Sequence, residues 1–327
     1  MAGKSYDGRP LEPIISDEQR ALIPDISGND INGLGEAQAR QPTPVYWGNP
    51  KSLAHGAMQS WMLEQCNRGV PEVSRLMTGF GGRGPEERAP VNDRPAPGEP
   101  PQFSQSVKDF ALNNEADAVG ITGLDPNWVF EGEAIEHPWV IVLALIMDHA
   151  ELAAAPEPPS VIEVMRQYNR GTRAARALAD WIRGQGFQAA PHGGPTRGPL
   201  TMIPAAIAAG LGELGKHGSI INDEFGASFR LACVTTDMPL VADAPNSFGV
   251  DDFCLSCKLC TDSCPPDAIF ETKQMVRGEN KWYVDFDRCV AYFNETYGCG
   301  ICIAVCPWSR PGVAPRLAQK MAAKSGR

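Results

Sequence analysis

FCLSCKLCTDSCPPDAIF, residues 253–270, carries four cysteines in the spacing Cys254-x2-Cys257-x2-Cys260-x3-Cys264-Pro265. Three thiolates spaced two residues apart can wrap one iron–sulfur cubane, while the fourth points away toward a second. Pro265 turns the chain and keeps the last thiolate out of a helix. Further on, Cys299-x2-Cys302-x3-Cys306-Pro307 repeats this ending without its leading cysteine, and Thr296 stands where that residue would fall. Cys289 is supplied instead, and it reaches the cluster if VAYFNETYG forms a loop. The spacing assigns Cys254, Cys257, Cys260 and Cys306 to one 4Fe–4S cluster, and Cys264, Cys289, Cys299 and Cys302 to the other. A zinc ribbon would take four ligands in two separated pairs, which eight crossed thiolates do not offer.

Those eight make up most of the ten cysteines in the chain, with Cys66 and Cys233 apart. Tight clustering without a secretion signal indicates metal rather than disulfides. A chain of 327 residues with 43% hydrophobic content can bury two or three cores. Its formal net charge of −10 argues against nucleic acid as a partner, because phosphate contacts need clustered Lys and Arg. No apolar run is long enough to span a bilayer. The N-terminus MAGKSYDGRPLEPIISDEQR shows neither an apolar h-region nor a twin-arginine pair. A cytoplasmic protein without membrane association is the expectation.

Residues 1–102 read as an N-terminal wrapping region, ending in the Gly- and Pro-dense stretch GGRGPEERAPVNDRPAPGEPPQ. From Phe103 the pattern sharpens. SQSVKDFALNN predicts a short helix, ADAVGITGL a strand, and WVIVLALIM a strand buried on both faces. PPSVIEVMRQYNRGTRAARALADWIRGQGF predicts a long helix with the stripe Val161, Val164, Tyr168, Ala175, Leu178, Ile182, stopped by Gly186. MIPAAIAAGLGELGKHGSIIN predicts a helix, a Gly-rich turn and a strand, and FRLACVTTDMPL a further strand. This alternation indicates an α/β or α+β core over 103–250, followed by a ferredoxin-like domain over 251–312 and a basic tail over 313–327.

A free ferredoxin needs far fewer residues than stand here before the clusters, so the electrons have a destination in the preceding part. No GxGxxG lies between a strand and a helix, which leaves a Rossmann nucleotide site without support. GLGELGKHGSIINDEFGASFRLACVTTDMPL, followed by FCLSCKLCTDSCPPDAI and CGICIAVCPWSRPG, resembles the cobalamin-dependent reductive dehalogenases. The related epoxyqueuosine reductases share the general layout. The resemblance covers about residues 103–312.

It implies an α+β fold whose nitroreductase-like core binds cobalamin base-off, without a histidine on cobalt, followed by the two-cluster domain. The chain fits in lacking the DxHxxG pattern of corrinoid proteins that ligate cobalt through histidine. His55, His137, His149, His192 and His217 show no ligand-like spacing. Contacts to the corrinoid are implied for His192 and Gly193, and for Gly212, Leu214, Gly215, His217, Gly218 and Ser219.

The implied reaction replaces halide on carbon by hydrogen, with a halogenated phenol or aromatic acid as substrate, in the manner of the catabolic branch. The resemblance places the proton donor at Tyr168. By pattern alone Tyr168 lies on the buried stripe, where a packed core tyrosine is the simpler reading. Arg230 is the first choice for its basic neighbour, with a strand-end salt bridge as the alternative. Lys216 is the second choice, with a corrinoid phosphate as its alternative partner. Trp47, Trp61, Phe80, Trp128 and Trp308 are candidates for shaping the substrate pocket or for ordinary core. A separate reductase, ferredoxin or flavodoxin is implied as electron donor. The competing readings are an epoxyqueuosine reductase-like enzyme acting on tRNA and a non-catalytic corrinoid or electron-transfer protein.

Overall fold

The computed structural model describes residues 3–4, 10–11, 15–78, 88–194 and 198–325. Phe80 and residues 81–87 of the expected linker lie outside these. Two helices of the N-terminal region, α1 (Gly56–Gly69) and α2 (Pro71–Thr78), precede the core. The core then runs α3 (Pro100–Leu112), β1 (Ala118–Gly123), β2 (Trp139–Ile146), α4 (Pro158–Gly184), β3 (Ala189–His192), α5 (Met202–Ala208) and β4 (Phe229–Thr236). The four strands form one antiparallel sheet in the order β1-β2-β4-β3.

The apolar run in β2 is buried on both faces, as its sequence predicts. Val140 to Leu145 have no exposed surface. At about 1.5–3 kcal/mol for each large aliphatic side chain, this burial fixes the strand at the sheet centre. The two-residue period sorts the side chains by face. Ile141, Leu143 and Leu145, with Ala232 and Val234 of β4, pack against Ala174, Ala175, Leu178 and Ile182 of α4. On the other face Val140, Val142 and Cys233 pack against Leu200, Ala205 and Ala209, from and around α5.

Helix α4 follows its predicted span. Gly184 is its last residue, and Gly186 takes φ +86°, where the chain turns back toward the sheet. Gly171 sets how close α4 lies. A Cβ built there would stand 3.0 Å from Leu145 Cδ2 and 3.1 Å from Ala232 Cβ. The described part of the linker lies along the end of α4, where Asn92 N–H donates to Arg183 O and Ala96 N–H to Gln185 O. It is therefore a wrapping segment rather than a free tether.

The C-terminal part holds α6 (Val250–Ser256), α7 (Leu259–Asp262), α8 (Phe286–Glu295), α9 (Ile301–Ala304) and α10 (Ala314–Ser325). Trp308 is fully buried here, edge-on to Phe248 and Phe253, so it is core and not pocket. Trp128 packs in the core beside α5, and Trp61 packs within the N-terminal cluster. The N-terminal region grips α8. Asp287 accepts from Ser27 Oγ, Gly28 N and Asn29 Nδ2, while Tyr46 donates to Asn294 Oδ1 at 2.5 Å. Among the described residues, no helix is long and apolar enough to cross a membrane.

Gly171→Val should destabilise the protein by about 1–3 kcal/mol, the usual cost of forcing side-chain atoms into a packed contact. A lowered urea midpoint with an unchanged slope is the expected result.

Candidate cofactor and active site

Each set of four cysteines assigned from spacing comes together in space. Cys260 has Cys254 and Cys257 as electrostatic neighbours, and Cys306 has Cys254, Cys260 and Cys257. Cys289 has Cys299 and Cys264, while Cys302 faces Cys299, Cys289, Cys260 and Cys264. Helix α8 begins at Phe286, just before Cys289, and turns at Tyr297 (φ +55°) and Gly298 (φ +123°) to present Cys299. The segment expected to loop is thus mostly helix, and the loop is confined to its end.

Burial pushes the thiols up, to about 11 for Cys254 and Cys299 and about 12 for Cys260, Cys289 and Cys306. Such thiols ionise only beside a cation, which a bound metal core supplies. Among the described residues no three Cys, His, Asp or Glu side chains close tightly enough for a single ion.

A cavity of about 570 Å³ opens between the second cysteine set, α5 and the Gly-rich turn. Leu214, His217, Gly218 and Ser219 border it, together with Cys264, Cys289, Cys299 and Cys302. The turn is kept narrow by Gly212, whose φ of +152° and 2.1 Å Cβ approach to Ile221 O exclude any larger residue. His217 Nδ1 accepts the N–H of Ser219, so the ring proton sits on Nε2. This Nε2 is buried without a partner, and burial holds the imidazole down to about 4. His217 is therefore a neutral donor with no acceptor among the described residues, in the wall of the cavity. Gly215 leaves room for the ring, since a Cβ built there would stand 2.7 Å from His217 Cε1.

Tyr168 of α4 and Arg230 of β4 meet. The guanidinium carbon lies 5.5 Å from the phenol ring centroid, and Arg230 Nε donates to Met147 Sδ. Arg230 shares the sheet face of Ala232 and Val234, which is why it reaches α4. Among the described residues it has no carboxylate partner within 4 Å, so the strand-end salt bridge is not what holds it. Arg230 borders three cavities. One is the 570 Å³ cavity. The second is a pocket of about 110 Å³ lined by Trp47, Met62, Cys66, Val161, Met165 and Tyr168. The third has about 470 Å³ and is also bordered by Trp47, Tyr168 and Ser219.

Other expected residues lie elsewhere. Lys216 is not beside Tyr168: its ammonium donates to Cys257 O at 2.9 Å and lies 5.0 Å from the Trp282 ring centroid. The turn sends alternate side chains to opposite sides, and Lys216 leaves on the side of the first cysteine set. His192 borders none of these cavities. Its Nε2 is 3.1 Å from Thr235 Oγ1, which also meets His137 Nδ1, and burial brings His192 down to about 4. Gly193 packs against Thr172. Trp47, one of the aromatic residues expected to shape the substrate pocket, does line it beside Tyr168, whereas Phe293 of α8 and Tyr297 just after it join the pocket without any expectation from the sequence. The amphipathic pattern of α8 is the available signal.

Residues 253–309 match the model of the 4Fe-4S dicluster domain. The tetrachloroethene reductive dehalogenase of Desulfitobacterium hafniense is 33% identical over 207 residues, 59% of this chain and 37% of that protein. The tetrachloroethene reductive dehalogenase of Sulfurospirillum multivorans is 30% identical over 275 residues, 69% of this chain and 54% of that one. The structure of the catabolic reductive dehalogenase NpRdhA in complex with 3-bromo-4-hydroxybenzoic acid superposes with a TM-score of 0.70 at 23% identity, over 95% of this chain and 46% of that chain. Epoxyqueuosine reductases match a shorter stretch, such as 34% of this chain for that of Escherichia coli. The chain spans about half or less of the length of the reductive dehalogenases it matches.

The depressed His192 has a measurable consequence. The unfolded chain takes up the imidazole proton near 6.5, while the folded state resists until about 4. Stability from this group is therefore complete above 6.5 and is lost as pH falls toward 4. Between pH 7 and pH 5 the loss should be about 2 kcal/mol, and His192→Gln should show a correspondingly shallower fall in urea midpoint. In sequence and in fold, then, the chain is similar to the reductive dehalogenases, with a 4Fe-4S dicluster domain following an α+β core.

Proposed function

We propose that this chain carries out reductive dehalogenation of a small organohalide, R–X + 2e⁻ + H⁺ → R–H + X⁻, with Tyr168 as the proton donor. The observation that carries this reading is the meeting of Tyr168 and Arg230 where three cavities adjoin, one of them bordered by four cysteines. Cys254, Cys257, Cys260 and Cys306 would hold one 4Fe–4S cluster, and Cys264, Cys289, Cys299 and Cys302 the other. Together these would relay single electrons from a separate donor.

The large cavity suits a corrinoid. Its mostly apolar walls fit a macrocycle. Leu214, Gly218 and Ser219 would lie along it. A corrinoid held there would supply the two-electron reductant for breaking the carbon–halogen bond.

The protein's own groups do the rest. Tyr168 Oη delivers the proton to the carbon losing halide. Arg230, with no carboxylate among the described residues to neutralise it, stabilises the phenolate left behind. The apolar walls of the 110 Å³ pocket keep water from the reacting carbon, and the larger 470 Å³ cavity gives Tyr168 a route to a new proton. Size bears on the substrate. A cavity of about 150 Å³ admits benzene, so the 110 Å³ pocket alone takes a molecule smaller than benzene, such as a two-carbon compound with one halogen. A halogenated phenol or aromatic acid extends from it into the adjoining cavity, where Arg230 can pair with its anionic group.

Anaerobic reconstitution with iron, sulfide and cobalamin tests this. About eight irons, a base-off cobalt(II) signal at about one cobalt per chain, and halide release from chloroethenes or bromophenols are the expected results. Retained iron without cobalt removes the dehalogenase reading. Tyr168→Phe should lower turnover about 100- to 10,000-fold with both cofactors kept. Cys289→Ser should lower iron from about eight to about four per chain.

A further inference from the structure

Lys216 is buried at 1% exposure, yet among the described residues it has no carboxylate within 4 Å. The nearby carboxylates are engaged elsewhere. Asp251 pairs with Lys273 at 2.7 Å and accepts from Trp282 Nε1, and Glu271 pairs with Lys258 at 2.7 Å. The partners of the Lys216 ammonium are the carbonyl of Cys257 and the face of Trp282. Its own backbone N–H is directed at Cys254. One residue thus offers both a fixed positive charge and an N–H donor to the first cysteine set.

A buried ammonium without an anion is costly, because it gives up water and gains only a dipole and a ring face. An anionic centre beside it removes the cost. Four thiolates around a 4Fe–4S core form such a centre, and one-electron reduction makes it more negative by one unit without breaking a bond or taking up a proton. Net charge and hydrogen bonds to sulfur are what set the potential of such clusters.

We propose that Lys216 is the counter-charge of the first cluster and raises its reduction potential, a role that rests on the ligand assignment above. Among the described residues the second set lacks an equivalent. Its acidic neighbours are Asp267 at Cys264 and Asp285 at Cys289. Lys216 therefore acts on one cluster of the two. It is a tuning residue, and it touches neither substrate nor the reacting carbon.

The experiment is an EPR-monitored redox titration of the reconstituted protein, in wild type, Lys216→Met and Lys216→Arg. Methionine keeps most of the side-chain volume and removes the charge. It should lower the midpoint of one cluster by at least about 59 mV, a tenfold change for a one-electron couple, and leave the other in place at unchanged iron content. Arginine should stay close to the wild-type potential. Two unmoved midpoints in a fully loaded methionine variant overturn the proposal. If methionine prevents loading of the first cluster, the arginine variant decides. Loading at the wild-type potential supports the charge role, and failure to load overturns it. A wild type that holds fewer than two clusters overturns the ligand assignment, and this role with it, which iron analysis alone distinguishes.

Discussion

With hydrogen as its only side chain, Gly171 lets α4 lie directly on Leu145 and Ala232. That contact positions more than the core. Tyr168 sits one helical turn before Gly171, and Arg230 sits two residues before Ala232 on the same sheet face. The close approach of helix to strand therefore delivers a phenol and a guanidinium to one point. Strand β2 behind them is buried on both faces, so the pair rests on a rigid wall, as a positioned proton donor requires. Fixing the pair also fixes where the three cavities adjoin, because Arg230 borders each of them.

The Gly-rich turn couples this core to the cysteine domain. Glu213 Oε1 accepts the N–H groups of Phe248, Gly249 and Val250, at 2.5, 2.8 and 3.3 Å, and so caps the helix that begins at Val250 and carries Cys254. A carboxylate at a helix N-terminus is favoured by the unpaired N–H groups there. Three residues on, Lys216 meets the first cysteine set, and the next residues border the large cavity. A short segment with a narrow glycine turn therefore holds both the cluster side and the cavity side in register.

The strongest local patterns are legible in the sequence itself. The apolar run of β2 and the long stripe of α4 each match a single period, and burial rewards both. The eight clustered cysteines are legible too, and the displaced Cys289 comes to lie beside Cys299 and Cys264. The side on which a turn residue leaves is not. Lys216 and His192 lie beside glycines in sequence, yet the backbone twist sends Lys216 to Cys257 and His192 to Thr235. Tyr168 is a core residue by periodicity, and only the resemblance marks it out. The role of the N-terminal region is hidden for another reason. Its contacts bridge some 260 residues, as between Ser27 and Asp287, and no local pattern reports such a pairing.

That long-range grip bears on the site itself. Asp285, Phe286 and Asp287 form the start of α8. Asp285 accepts from Asn29 Nδ2 and caps the helix at Arg288 N, while Asp287 holds Ser27, Gly28 and Asn29. Gly28 is needed there, since a Cβ would stand 2.1 Å from the Phe286 ring. The same helix carries Cys289 and ends beside Cys299. The N-terminal region also supplies Trp47 and Met62 to the wall of the small pocket. Neither half of the wall is complete alone: α8 is anchored by the N-terminal segment, and that segment is held in place by the carboxylates of α8. The pocket beside Tyr168 is thus assembled from opposite ends of the chain. Its size follows from how those ends dock as much as from the core that presents the tyrosine.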